Sequence, residues 1–248
     1  MRETDPVWSS VLDCYYRSVR TSPKRKRGWF RAILTAAAML IAAFYVFSLT
    51  ALVAFRWVDP PVTMVQAQRR MEAWFRHKPY TKRQQWEPLA RISPELQHAV
   101  ISAEDGRFFE HHGIDWKEVQ KVVDKDVEDG HLGRGGSTIT QQLVKNLFFT
   151  TSRSVVRKAV EFTLAPVADR VLPKRRILEL YLNVIEWGPG VYGAESAART
   201  WYGLPAARVN REQAARLAAL IPSPLRRKPG RMNSYSAEIL HRMDQTGW

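Results

Sequence analysis

The longest uninterrupted apolar stretch of the chain is Ala32 to Phe55, 24 residues without a charge, a glycine or a proline. At about 1.5 Å of rise per residue, a helix of that length crosses a hydrocarbon layer of about 30 Å, so the pattern predicts a single transmembrane helix over 32–55. The pattern then changes. "DPPVT" (Asp59 to Thr63) stops the helix, and Val65 to Phe75 reads as a basic amphipathic helix carrying Arg69, Arg70, Met71, Trp74 and Phe75. Such a helix suits a membrane surface, and equally the surface of an ordinary domain.

From Ser93 onward apolar positions recur at helical spacing, and alternating strand patterns are few. Ser93 and Pro94 supply an N-cap and first-turn pair for a helix over Pro94–Asp105, with Glu95 well placed for the helix dipole. Asp115 can cap a helix over Trp116–Val127, and Ser137 or Thr138 one that runs through Gln142 to Phe148. Further helices are predicted over Ser154–Leu172, with a kink at Pro166, and over Lys174–Ile185, Ala194–Tyr202 and Arg211–Leu220. The expected architecture is a mainly α domain over 91–248 behind a single N-terminal transmembrane helix. A basic tail, 1–31, with an amphipathic piece at Val7 to Val19, precedes that helix, and a juxtamembrane linker and amphipathic region, 56–90, follows it.

Charge orients this arrangement. Arg17, Arg20, Lys24, Arg25, Lys26, Arg27 and Arg31 precede the apolar stretch, so the positive-inside rule keeps the N-terminus in the cytoplasm and sends everything after Arg56 across the membrane. Trp29 and Trp57 stand where interfacial aromatics belong. "SLTALVAFRW" offers no convincing small-x-small cleavage site, which favours an uncleaved anchor over a removed signal. Net charge is +14 over the 248 residues, and most of the excess lies beyond Phe55. A domain held at a membrane face meets anionic headgroups or a phosphorylated substrate, a simpler reading of that excess than nucleic acid. The only cysteine is Cys14, so the exported part has no internal disulfide and depends on its core.

Candidate chemistry concentrates in three segments. In "AVISAEDGRFFEHHGIDW" (Ala99 to Trp116) Glu104 projects between the directions of Val100 and Ile101, from the apolar face of its helix. A carboxylate there is partly desolvated, with a raised pKa suited to proton transfer. His111, His112 and Asp115 crowd further ionisable groups into the loop. Adjacent histidines rarely address one ion, so a metal reading of them is weak. "GRGGSTITQQLVKN" (Gly133 to Asn146) leads a glycine loop into a helix start, with Arg134 before it and Lys145 beyond, an arrangement fit for an anion but without P-loop order. "RKAVE" sets Arg157 and Lys158 one turn before Glu161. The apolar neighbours Val155, Val156, Ala159, Val160 and Phe162 imply a polar stripe in a buried helix, lining a cleft. Two glutamates among basic residues form a constellation for glycosidic chemistry. "GPGVYG" (Gly188 to Gly193) matches a dinucleotide fingerprint only in spacing, because the helix-like "ILELYLNVIEW" precedes it and no β-α-β unit surrounds it. Its glycines are expected to turn the chain tightly beside Tyr181 and Asn183.

In this order, "AEDGRFFEHHGIDW", "GRGGSTITQQLVKN", "RKAVEFTLA", "KRRILELYLNVIEWGPGVYGAESAARTWYG" and "LAALIPSP" resemble the peptidoglycan glycosyltransferases that polymerise lipid II. The resemblance spans about Arg91 to Pro224, and the lack of SxxK, SxN and KTG motifs fits the monofunctional biosynthetic form. It implies a lysozyme-like α-helical fold and an inverting transfer. Glu104 matches the general base that takes the proton of the acceptor 4-hydroxyl, and Glu161 matches a glutamate assisting at the pyrophosphate side. Ser137, Gln141, Lys145, Arg153, Arg157 and Lys158 match donor or phosphate-binding positions, and Tyr181 and Asn183 match cleft positions. Asp105, Phe108, His111, Gly113, Gly135, Gly136 and Thr138 match motif positions that shape the loops. A divalent cation, Mg2+ or Mn2+, on the Glu161 side is implied, and no organic cofactor.

The implied partners are lipid II, the growing undecaprenyl-pyrophosphate-linked glycan and the membrane, with penicillin-binding proteins and divisome components as protein partners and no nucleic acid. The implied location is the bacterial inner membrane, with the catalytic domain in the periplasm. Leu204 departs from the lysine expected after "YG". Two other readings compete. One is a muramidase or lytic transglycosylase, which leaves the cations around Glu161 unexplained; the other is a catalytically silent membrane-anchored scaffold.

Overall fold

The structure is a computed structural model that describes residues 24–129, 135–152 and 154–248. The amphipathic piece expected at Val7 to Val19, Cys14, Arg134 and Arg153 lie outside the described residues. The chain divides into two compact units, residues 1–48 and 49–248.

The expected apolar helix is present as α1, Lys24–Ala54, of which Gly28–Ala54 is long and apolar enough to cross a membrane. It starts earlier than the hydropathy pattern predicts because lysine and arginine are good helix formers and extend it N-terminally. Trp29, Met39, Leu40, Val46 and Phe47 are all exposed along it.

The second unit is mainly α, as expected, but it begins well before residue 91. Helix α2, Met64–Phe75, is started by a capping box between Thr63 and Gln66 and buries Val65 and Gln66. Strand β1, Arg83–Gln84, pairs in parallel with β3, Val191–Tyr192, which pairs antiparallel with β2, Glu186–Gly188. The region 56–90 is therefore built into the domain and is not a linker. A two-residue strand whose partner lies about a hundred residues away leaves no local alternation to read.

Helix α3, Pro94–Glu104, is capped by Ser93, whose hydroxyl accepts from Leu96 N at 3.2 Å. Its buried face, Leu96, Ala99, Val100 and Ile101, packs against α9, Arg211–Ala218, and α10, Asn233–Gln245. The sequence pattern had not marked α10, which covers α3 through Ile239 and Met243. Helix α4, Trp116–Asp129, starts at Asp115, which accepts from Glu118 N at 2.9 Å. Helix α5, Ile139–Phe148, is central, packed against α2, α6 (Val155–Val171) and α7 (Lys174–Val184). Helix α8, Ala194–Tyr202, follows the small sheet.

Helix α6 carries Pro166 inside its run, Val155–Val171. The helix-like "ILELYLNVIEW" leaves the helix at Ile185, and Glu186–Gly188 becomes a strand because the glycine hairpin behind it returns the chain for pairing. In that hairpin Gly193 has φ +85°, and a Cβ there would lie 2.9 Å from the Asn183 carbonyl oxygen, so the close turn beside Asn183 requires glycine.

Candidate active site

Glu104 is the last residue of α3 and is partly open to solvent. Its Oε2 accepts a 2.6 Å hydrogen bond from Gln142 Nε2 on α5, and Gln142 Oε1 accepts one of 2.9 Å from the buried Tyr181 hydroxyl on α7. Burial pushes the Glu104 pKa above the ordinary carboxylate range, while the Gln142 hydrogen bond and the charges of Lys145 and Arg227 pull back against it. The expected raised pKa is therefore present, and its main cause is desolvation.

The next residue turns the chain. Asp105 is the C-cap of α3, and its carboxylate accepts from Ile139 N at 3.0 Å and from His111 Nε2 at 2.9 and 3.0 Å. One side chain thus ties the end of the Glu104 helix to the start of the helix that carries Gln142 and Lys145. Phe108 is buried beneath the loop, with Lys174 Nζ 4.6 Å from its ring centre. Asp115 receives Arg107 and caps α4. Among these loop residues Asp105, His111 and Asp115 are thus partners of one another or of backbone, and His112 is exposed. The ionisable crowd is scaffolding for Glu104.

Helix α5 is fixed by Thr138, the N-cap. Its hydroxyl accepts from Gln141 N at 3.1 Å and donates to Gly113 O at 2.6 Å, while Gln141 Oε1 accepts from Thr138 N at 3.0 Å. Gly135 and Gly136 lead into this cap on positive φ. Gln141 is buried and its Oε1 is taken up by the capping box, so it holds the start of the helix, while its Nε2 is a buried donor without a partner among the described residues. Its neighbour Gln142, one residue on, faces Glu104. Gln141, the residue the motif pattern points to, and Gln142 both lie one turn before Lys145, so the helical pattern does not separate them; the packing of α5 against α7 decides that Gln142 turns to Glu104.

The second acidic centre is Glu161, 2% exposed on α6. Arg157 pairs with its Oε1, and Lys158 Nζ lies 3.7 Å from its Oε2 and donates to Ser137 Oγ at 2.8 Å. Lys145 interacts with both Glu161 and Glu104, so it stands electrostatically between the two acidic centres; burial lowers its pKa and that of Lys158. Both ammonium groups are partly desolvated, and the charge of an entering anion would offset that cost.

The apolar neighbours of this stripe lie differently than expected. Val155 is 87% exposed and Val156 73% exposed, while Glu161, Leu164, Ala165 and Ala168 form the buried face. The start of α6 therefore shows apolar side chains outward and its charged residues inward, the reverse of a water-facing helix.

Asn183 is fully buried. Its Oδ1 accepts from Glu87 N at 2.9 Å, and its Nδ2 donates to Glu87 O and Glu179 O, each at 2.8 Å. Asn183 and Tyr181 support the cleft from behind and are not substrate contacts, because every polar atom of Asn183 and the Tyr181 hydroxyl already meets protein. The sequence reading also did not reach Arg227 and Tyr235. Arg227 donates to Ala219 O at 2.7 Å and stacks over the Tyr235 ring at 5.1 Å, and both feel the charge of Glu104. No short-range pattern marks them, since packing of α9 and α10 on α3 brings them there.

The donor set around Glu161 does not make a protein-held site for a divalent cation. Glu161 is a single carboxylate committed to Arg157 and Lys158, and among the described residues no group of three His, Cys, Asp or Glu side chains is placed to hold a metal.

Two acidic centres, Glu104 on α3 and Glu161 on α6, with the partly buried Lys145 of α5 acting on both, set a proton acceptor beside a cationic place for an anion. The sequence profile described as transglycosylase matches residues 70–245, and the chain belongs to that family, whose domain is lysozyme-like. A protein of Bordetella pertussis named biosynthetic peptidoglycan transglycosylase is 44% identical over 232 residues, covering 88% of this chain and 95% of its own. Proteins of the same name from Laribacter hongkongensis and Pseudomonas putida are each 41% identical, over 77% and 81% of this chain and 86% of each of theirs.

Proposed function

We propose that the protein is a membrane-anchored peptidoglycan glycosyltransferase that polymerises lipid II into β-1,4-linked glycan, releasing undecaprenyl pyrophosphate. The observation that carries this reading is the pairing of a desolvated, partly open carboxylate, Glu104, with a separate cluster of partly buried cations, Lys145, Arg157 and Lys158, around the buried Glu161. Glu104 takes the proton of the acceptor sugar's 4-hydroxyl as that oxygen bonds to C1 of the donor chain. The C1–O bond to pyrophosphate breaks with inversion, and the leaving charge grows against Lys145, Lys158 and Arg157. A hydrolase would need no such cluster, since its leaving group is a sugar hydroxyl.

The lipid part of the substrate accounts for the rest. Helix α1 anchors the chain in the inner membrane, the basic residues before it hold the N-terminus in the cytoplasm, and the catalytic unit works from the periplasmic side. The exposed Met71, Trp74 and Phe75 of α2 and Val155 and Val156 of α6 face lipid.

The test is polymerisation of purified lipid II by the full chain in vesicles. Wild type makes glycan chains, and Glu104→Gln loses about 10²- to 10⁴-fold of the rate, the range general-base catalysis supplies. Shortening of preformed glycan with no polymer from lipid II would overturn the proposal.

A further inference from the structure

Gln142 is held at both ends of its amide. Nε2 donates to Glu104 Oε2 at 2.6 Å, and Oε1 accepts from the Tyr181 hydroxyl at 2.9 Å. An amide can turn about its terminal torsion and exchange these ends, and the two orientations suit different partners. With nitrogen toward Glu104, the amide offers a donor, which an ionised carboxylate accepts. With oxygen toward Glu104, it offers an acceptor, which repels a carboxylate and fits only a protonated acid. Tyr181 decides between them. It is fully buried, and Gln142 Oε1 is the acceptor its hydroxyl proton meets among the described residues; with the amide turned round, the hydroxyl oxygen could accept from Nε2 but its buried proton would lose that acceptor, so the orientation with nitrogen toward Glu104 is favoured.

We infer that Tyr181 is a positioning residue: by fixing the Gln142 amide with nitrogen toward Glu104, it keeps Glu104 in the ionised, proton-accepting form and in place at the cleft. This rests on the reading of Glu104 as the base. The relay opposes the desolvation that pushes Glu104 toward its neutral form. The other groups that face Glu104 act together with it or against it. Lys145 of α5 and Arg227 of the segment before α10 favour the carboxylate, while Asp105 beside it opposes; Tyr235 of α10 feels the charge and stays neutral through burial. Only the Gln142 contact depends on the orientation of a neutral group, and so only it needs a third residue to set it.

The experiment is the pH dependence of kcat for lipid II polymerisation by the full chain. In Tyr181→Phe only the hydroxyl is lost and the amide is free to turn. The acidic limb of the profile should move to higher pH, kcat at neutral pH should fall about tenfold with KM unchanged, and raising the pH should restore it. Gln142→Met, which removes both donor and acceptor at similar volume, should shift the limb the same way. The double variant should be no worse than the poorer single one, because both break one relay. A variant that is folded by circular dichroism yet keeps the wild-type limb overturns the inference, and Gln142→Met gives that reading if Tyr181→Phe does not fold. A uniform fall in kcat at every pH, with no rescue, overturns it as well, since that is what structural damage produces. Glu104→Gln separates the two readings. If it still polymerises, Glu104 is not the base; if it is inactive while Tyr181→Phe keeps its limb, the base stands and the relay fails.

Discussion

Glu104 works because its surroundings disfavour its charge. Its neutral form is preferred by burial, so its pKa is higher in the folded chain than in the unfolded one. Between those two values the folded state binds more protons, and stability falls as pH rises through that window and then levels off. Glu104→Gln has no such loss. Its melting temperature should match that of wild type in acid, rise above it as pH climbs from the unfolded to the folded pKa, and keep a constant margin beyond, while polymerisation is lost. Thermal unfolding at several pH values in detergent checks this, and a variant less stable than wild type at alkaline pH would contradict it. The same position shows what a residue-level reading can reach. Helical periodicity put Glu104 on an apolar face, because three turns of local pattern determine that direction. It could not separate Gln141 from Gln142, or see that Asn183 is fully enclosed, because those depend on which neighbouring helix lies alongside.

Elements were legible where their ends carry their own chemistry. Ser93, Thr138 and Ser154 cap α3, α5 and α6, and each cap is a contact within four residues. The small sheet and α10 were not legible, since the strands are two or three residues long and are stabilised by partners far away in sequence. The joint between elements that matters most is the loop from Glu104 to Trp116, pinned on α6 at Gly113. There φ is +86°, and a Cβ would stand 2.6 Å from the Ala165 carbonyl oxygen. Gly113→Ala meets backbone on a fixed helix and a left-handed conformation together, so it should cost about 2–4 kcal/mol. It should also disturb the Thr138 hydroxyl that donates to the Gly113 carbonyl at 2.6 Å, and with it the start of α5. Urea unfolding in detergent measures the loss, and a change below about 0.5 kcal/mol would show that the loop yields freely.

At the scale of the molecule, the excess of basic residues beyond Phe55 and exposed aromatic groups at Trp57, Trp74 and Phe75 fit a catalytic unit held at an anionic lipid surface. Within residues 49–248, Arg176 ties the segment leaving the apolar helix to α7, and Arg56 Nη1 donates from that segment to Val171 O of α6 at 3.4 Å. Arg176 of α7 donates from Nε to Phe55 O at 2.8 Å and from Nη2 to Val58 O at 3.0 Å and Asp59 Oδ1 at 2.8 Å, while Nη1 pairs with Glu179. Its guanidinium thus satisfies carbonyls just past the C-terminal end of α1, where helix carbonyls lack partners and a cation is favoured. Arg176 sits five residues before Tyr181 on the same helix, so the restraint on segment 55–59 and the support of Gln142 share one rigid element. Charge-assisted bonds of this kind contribute about 1.5–3 kcal/mol each, and their loss acts first on the local opening of that segment. Arg176→Met should therefore speed tryptic cleavage after Arg56 in micelles by about tenfold or more, with the rest of the unit still folded. Arg176→Lys should fall between, because a single ammonium keeps the charge but cannot reach three carbonyl and carboxylate partners at once. Equal cleavage rates in all three proteins would mean that segment 55–59 is held by its own turns and by Arg56 on Val171, and that Arg176 serves α7 alone.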